Sequence, residues 1–294
     1  MSARLAGVFA PLTTPFDRDT GDVALDRLRG NTARLCADGL AGIVVGGSTG
    51  EAPLLELDEL CRLVAAARDA APAAARVLAG TGAESTRRAV ALTRAAAAAG
   101  ADAVLVRPPG YFAAGHTTAT LAGYFRALAD ASPVPVLVYN IPKYTHLPLP
   151  PDLIHQLTDH ANIVGVKDSS GDLKNLAAYR AAAPRWSVLV GSGAHLVAAL
   201  EGGCDGGVVG IACFAADRCV ALYRAFAAGD GGRAATLQRA LAPLDQEIVG
   251  RLGPAGVKAA MDAVGDGLYG GPVRPPLAPL AAEDRDRVAR LLAA

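Results

Sequence analysis

Two kinds of apolar segment alternate along this chain. Short β-branched runs, apolar at nearly every position, are each followed by a longer stretch rich in Ala, Leu and Arg with apolar residues at helical spacing. The runs predict strands at 7–10, 42–45, 76–79, 103–106, 134–139, 163–167, 187–190 and 207–209. Helices are expected between them, at about 24–38, 57–71, 85–99, 118–131, 151–159, 173–182 and 195–202. A strand that is apolar on both faces belongs to a parallel sheet covered on both sides. Eight such units predict an α/β fold, a (β/α)8 TIM barrel, over residues 1–225. An open doubly wound sheet is the alternative, disfavoured because the first strand-to-helix turn lacks a glycine-rich phosphate fingerprint. Beyond the eighth strand the pattern turns helical, at about 214–228, 231–250, 254–265 and 283–293. Residues 226–294 therefore read as a C-terminal helical extension packed on the barrel, punctuated by Gly253-Pro254 and Gly270-Gly271-Pro272.

Composition narrows the partners. Of 294 residues 52% are hydrophobic, and the formal net charge is +0 with no long basic block, which excludes nucleic acid and anionic membrane on electrostatic grounds. Five cysteines at 36, 61, 204, 213 and 219 form no C-x-x-C pair. A disulfide framework or zinc site is not expected, and a reducing, cytoplasmic setting fits. No leader is evident, and apolar stretches are broken before membrane-spanning length.

Four of the 28 basic residues are lysines, and one of them, Lys167, sits where an apolar run meets its loop. Burial disfavours an ammonium and frees the amine as a nucleophile, which arginine cannot imitate. A strand-end lysine snorkelling to water is the plainer alternative. In a barrel, chemistry gathers at the C-terminal strand ends. After the second strand comes Gly46-Gly47-Ser48-Thr49-Gly50-Glu51, whose amides and hydroxyls suit a small carboxylate, or form an ordinary capped turn. The fifth strand ends in Tyr139-Asn140-Ile141-Pro142, where Tyr139 is a proton carrier or a core-edge aromatic. The fourth leads to Arg107-Pro108-Pro109-Gly110-Tyr111-Phe112, a stiff loop that presents two aromatics to a site or to an oligomer contact. An amine, a phenol, two hydroxyls and an amide cradle at one mouth describe imine chemistry on a 2-oxo acid, with no cofactor beyond the covalent imine on Lys167 and no metal.

These motifs resemble the pyruvate-dependent class I aldolases of the dihydrodipicolinate synthase and N-acetylneuraminate lyase group, over nearly the whole chain. The resemblance implies a lyase that is usually a homotetramer or dimer. It implies Lys167 as the Schiff-base lysine and Tyr139 as the proton-relay tyrosine. Ser48 and Thr49 are then the carboxylate-binding hydroxyls, and Tyr111 the aromatic that a neighbouring subunit inserts. Gly47, Ser169, Ser192 and Val209 join Ser48 and Thr49 as expected substrate contacts. Within the group, Gly80-Thr81-Gly82-Ala83-Glu84-Ser85-Thr86 and Gly165-Val166-Lys167-Asp168-Ser169-Ser170-Gly171-Asp172 are most similar to 4-hydroxy-2-oxoglutarate aldolase. That likeness implies cleavage of a 4-hydroxy-2-oxo acid to pyruvate and an aldehyde. The alternatives are 4-hydroxy-tetrahydrodipicolinate synthase and a 2-keto-3-deoxy sugar acid aldolase or dehydratase. Tyr144 stands where such synthases usually carry an arginine, which weakens the first. The loop Gly191-Ser192-Gly193-Ala194-His195 lacks the acidic residues of sialate lyases. A non-enzymatic 2-oxo acid sensor is the reading from outside enzymology. Among weaker signals, His155 and His160 are spaced wrongly for a metal pair. His146 and His195 could reach the mouth, Arg107 could serve an interface, and Asp172 is expected to cap the following helix.

Overall fold

The computed structural model describes residues 4–293. Its eight strands are β1 (Gly7–Pro11), β2 (Gly42–Val45), β3 (Arg76–Gly80), β4 (Ala103–Val106), β5 (Val136–Asn140), β6 (Ile163–Asp168), β7 (Ser187–Val190) and β8 (Gly206–Val208). They pair in parallel and in chain order, and β8 pairs with β1 to close the barrel. The helices are α1 (Leu25–Ala37), α2 (Leu57–Ala70), α3 (Thr86–Ala98), α4 (Thr118–Ala131), α5 (Pro142–Thr145), α6 (Pro151–Leu157), α7 (Leu173–Ala182), α8 (Leu196–Glu201), α9 (Ala216–Ala227), α10 (Gly231–Leu244), α11 (Gly253–Val264) and α12 (Ala282–Ala293). The expected (β/α)8 barrel with its helical extension is what forms.

The two-sided apolar strands have a direct cause. Phe9, Val44, Leu78, Leu105, Leu137, Leu189 and Val208 point inward and fill the barrel. Their neighbours Val8, Ile43, Val77, Val104, Val138 and Val188 point outward against the helices. Burying a side chain of this size is worth about 1.5–3 kcal/mol, so both layers drive closure. Helix starts are set locally. Glu56 and Glu59 form a reciprocal capping box on α2, the Ser85 hydroxyl caps α3, and Asp172 caps α7 by accepting from Lys174 N–H at 2.8 Å. That last cap is the one expected from sequence.

Several boundaries differ from the sequence pattern. β5 begins at Val136 because Pro135 has no N–H to donate, although its carbonyl still accepts from Val104 at 2.9 Å. β8 lies one residue earlier than expected, and Gly206 approaches Gly7 so closely that an added Cβ would fall 2.0 Å from the Gly7 carbonyl oxygen. The single helix expected over 231–250 is two pieces. α10 contains Pro243 and gives way to a π-helical turn, Asp245–Arg251. The short α5, which opens on Pro142, has no periodic signal and was not expected. The residue 225 boundary falls inside α9, which packs on β1 as the last barrel helix.

Candidate active site

Register brings the two central residues together. Tyr139 on β5 pairs with Lys167 on β6, and Asn140 pairs with Asp168 one step further along. Both Lys167 and Tyr139 are 5% exposed. Lys167 Nζ lies 4.3 Å from the centre of the Tyr139 ring, so the amine and the phenol share one wall of the barrel mouth. Just beyond them the two strands are stitched by side chains. Asn140 Nδ2 donates to Asp168 Oδ1 at 2.7 Å, and Asn140 Oδ1 accepts from Leu149 N–H at 3.1 Å. Burial pushes the Asp168 carboxyl up from its ordinary range, against the pull of donors on Ser170 and Asn140.

The loop after β2 is shaped by backbone crowding. Gly46 has φ +64°, and an added Cβ would sit 2.6 Å from Leu60 Cδ1. On β3, an added Cβ at Gly80 would lie 2.0 Å from the Gly46 carbonyl oxygen. The N–H groups of Gly50 and Glu51 close the turn onto Gly47 and Ser48 carbonyls at 3.0 and 3.1 Å. Thr14 donates its hydroxyl to the Gly50 carbonyl at 2.6 Å. Among the described residues the N–H groups of Ser48 and Thr49 donate to no protein acceptor, which leaves both for a ligand.

The Glu51 carboxylate is committed within the protein. Glu51 is a non-glycine residue at φ +59°, buried, with Oε1 2.5 Å from Lys258 Nζ on α11. Its Oε2 accepts from Arg274 N–H at 2.8 Å. Lys258 also donates to the Pro272 carbonyl at 2.6 Å and lies 4.5 Å from the Phe16 ring centre. Arg274 covers the same ring and grips Glu59 at 2.6 and 2.7 Å. The extension thus reaches back to lock the loop that carries Ser48 and Thr49. Burial lowers the Lys258 ammonium while Glu51 opposes the shift.

A cavity of about 590 Å³ opens at this end of the barrel. Gly47, Ser48, Tyr111 and Tyr139 line it, together with Tyr144, His146 and, from the extension, Pro254 and Leu277. Lys167 adjoins it through Tyr139 rather than lining it. Thr49 also lies off the lining, in the same loop as Ser48. Ser169, Ser192 and Val209 lie on the other side, at the ends of β6, β7 and β8. The Ser192 hydroxyl donates to Asp245 at 3.1 Å, so it is left to accept. The Val209 side chain packs in the outer layer, so only its backbone can face the mouth. Tyr111 and Phe112 are 82% and 73% exposed, stacked edge to face at 4.9 Å. Burial and the neighbouring Tyr139 push the Tyr144 phenol up.

Of the histidines expected near the mouth, His146 lines the cavity, from an αL position, and His195 does not. His195 sits in the β7 loop beside the buried Asp245. His160 Nε2 meets Asp130 at 3.0 Å on the outer face. Among the described residues no group of three or more His, Cys, Asp or Glu is placed to hold a metal ion. No helix among them is long and apolar enough to cross a membrane.

Residues 4–294 match the dihydrodipicolinate synthetase family. The chain belongs to that family. It is an enzyme of the pyruvate-dependent class I aldolase type, whose chemistry runs through an imine between pyruvate and a lysine without a metal. It is 35% identical over 290 residues to the 4-hydroxy-tetrahydrodipicolinate synthase of Methanoculleus marisnigri, covering 97% of this chain and 98% of the relative. It is 37% identical to the enzyme of the same name from Parasynechococcus marenigrum, covering 98% and 94%. Among solved structures, dihydrodipicolinate synthase from Acinetobacter baumannii complexed with pyruvate superposes with a TM-score of 0.92 at 30% identity, covering 98% of both chains. A prophage protein of the same family from E. coli, also in complex with pyruvate, gives 0.93 at 29%, covering 99% and 98%. The Methanoculleus, Parasynechococcus and Acinetobacter proteins carry the synthase name given above as an alternative, and none of the four supports the finer likeness to 4-hydroxy-2-oxoglutarate aldolase.

Proposed function

We propose that this enzyme makes or breaks the carbon–carbon bond between pyruvate and an aldehyde through an imine on Lys167. The observation that carries the reading is the Lys167–Tyr139 pair, a buried amine 4.3 Å from a phenol ring at the mouth of the barrel. In the bond-forming direction the neutral amine attacks the pyruvate ketone and water leaves. Loss of a methyl proton from the imine gives the enamine, whose carbon adds to the aldehyde. Tyr139 delivers the proton to the new alkoxide, relayed through Ser48 and Tyr111, and hydrolysis frees the 4-hydroxy-2-oxo acid and the amine. Cleavage is the same path reversed. Gly47, Ser48 and Thr49 hold the pyruvyl carboxylate with the two unused N–H groups of their loop. Ser169, Ser192 and the Val209 backbone would complete the far side, and a homo-oligomer would let Tyr111 act across subunits.

The names of the relatives favour the synthase direction, with aspartate semialdehyde as the aldehyde. One observation favours a different aldehyde. Position 144 on the cavity wall is a tyrosine, Lys143 donates instead to the Gly250 carbonyl at 2.8 Å, and Arg107 is paired with Glu84 at 2.8 Å. A second carboxylate would find no uncommitted cation among these residues.

Borohydride reduction in the presence of pyruvate, followed by peptide mass mapping, tests the common step. A reduced pyruvyl adduct on Lys167, absent in Lys167→Ala, is expected; folded wild-type protein that traps nothing refutes the mechanism. Tyr139→Phe should keep the adduct and lose about 10²–10⁴-fold in turnover, the usual share of a positioned proton carrier. Full turnover in that variant would remove Tyr139 from the relay. Product analysis with aspartate semialdehyde, glyoxylate and sugar-derived aldehydes then separates the two readings.

A further inference from the structure

Glu84 lies in the loop after β3 and takes no part in the chemistry above. Its carboxylate is nonetheless fully engaged with the loop after β4. Oε1 accepts from Arg107 at 2.8 Å, and Oε2 accepts from both Gly110 N–H and Tyr111 N–H at 2.9 Å. Pro108 and Pro109 have no N–H, so Gly110 and Tyr111 carry the first backbone donors after Arg107. Glu84 captures both.

The anchor is itself fixed. Tyr124 OH bridges the two loops: its one hydrogen is shared between the Ala83 and Arg107 carbonyls at 3.2 and 3.3 Å, and its oxygen accepts from Ala83 N–H at 3.3 Å. An added Cβ on Gly82 would lie 2.6 Å from Arg107 N, so the loops touch backbone to backbone. On the far side, Gly110 abuts the backbone of Thr145, next to Tyr144 and His146. Little else holds the aromatic end, because Tyr111 and Phe112 project outward.

We propose that Glu84 is the positioning residue for Tyr111, fixing the backbone from which its phenol is presented to the proton relay. The proposal rests on the reading that Tyr111 takes part in that relay. A carboxylate suits the task because one oxygen can accept two N–H groups while the other balances the Arg107 guanidinium. Burial raises the Glu84 carboxyl, but the Tyr111 and Gly110 N–H groups and Arg107 outweigh it and hold the group below its ordinary range. It therefore remains an anion, and an acceptor, at neutral pH.

A double-mutant cycle on the full-length protein tests this. Tyr111→Phe, Glu84→Ala and the double variant are compared by kcat, by KM for pyruvate, by borohydride trapping and by assembly mass from light scattering. The aldehyde is the one that turns over with wild type. Each single variant is expected to lose about tenfold or more in kcat, with trapping and the pyruvate KM little changed. The double variant should fall within about threefold of Tyr111→Phe alone, because neighbouring groups that act as a unit do not add. Glu84→Asp, which keeps the charge, should recover more activity than Glu84→Ala. If Glu84→Ala does not fold, Glu84→Gln replaces it in the cycle. Additive losses, a Glu84 variant at wild-type kcat, or a loss that follows a change in assembly mass would each overturn the proposal. Failure of wild type to trap pyruvate would instead strike the imine reading itself, and Tyr111→Phe at full kcat with trapping intact would remove the relay that Glu84 is held to serve.

Discussion

Replacing Lys258 by Met removes one member of a buried ion pair and nearly preserves its volume. Lys258 is 1% exposed and Glu51 2%, and their charged atoms stand 2.5 Å apart. Without the ammonium, Glu51 keeps the Arg274 N–H but becomes a buried carboxylate with no balancing cation in contact. Breaking a buried pair from one side costs about 3–5 kcal/mol, most of it from the charge left behind. For a chain of this size about 2 °C of melting temperature accompanies each kcal/mol, so Lys258→Met should melt about 6–10 °C below wild type. The damage should also reach the site, since Glu51 ends the turn that holds Ser48 and Thr49. The KM for pyruvate should rise by more than kcat falls. Thermal melts by circular dichroism, with initial rates against pyruvate, read both effects. The double variant Glu51→Gln with Lys258→Met carries no stranded charge and should recover part of the lost stability. A Lys258→Met protein that melts within 1–2 °C of wild type would refute the reasoning; so would a double variant less stable than the single.

Two further outcomes follow from the same geometry. Gly80→Ala drives a methyl to within 2.0 Å of the Gly46 carbonyl oxygen, backbone that cannot rotate away, so the protein should be poorly soluble or show a large rise in pyruvate KM; normal kinetics would contradict the crowding. The Glu59 carboxyl is held below its ordinary range chiefly by its two bonds from Arg274. Its folded value is thus depressed relative to an unfolded value of about 4.3. The stability it contributes is complete above that pH and is lost as pH falls through it toward the folded value. Glu59→Gln should flatten the acid limb of urea-unfolding stability as pH falls below about 4.3, and an unchanged limb would refute the assignment.

Much of the architecture was legible because it is local. Each strand is a continuous apolar run for a reason visible in single side chains, with Leu78 facing inward and Val77 outward. Lys167 and Tyr139 stood out because a lysine and a tyrosine interrupt such runs at the same end. What the sequence did not disclose is contact at long separation. The Glu51–Lys258 and Glu59–Arg274 pairs join residues more than two hundred apart, and no periodicity records them. Lys258 was a missed clue, a lone cation inside the apolar Gly256-Val257…Ala259-Ala260-Met261 stretch. Glu84 was noticed only as part of a family-like motif, since its role depends on where two loops cross. The π-turn at Asp245 escaped because helical periodicity does not distinguish it from the helix before it.

The lock on the β2 loop also has a consequence in time. The Arg274 N–H that meets Glu51 is 223 residues downstream of it. At a ribosomal rate of about 5–20 residues per second, roughly 11–45 s separate synthesis of the two. Until Lys258 and then Arg274 have been made, Glu51 has neither its counter-charge nor its backbone donor, so the native turn cannot be locked. The loop that carries Ser48 and Thr49 is thus among the first parts of the barrel to be made, yet its lock closes only once the C-terminal extension has been synthesised.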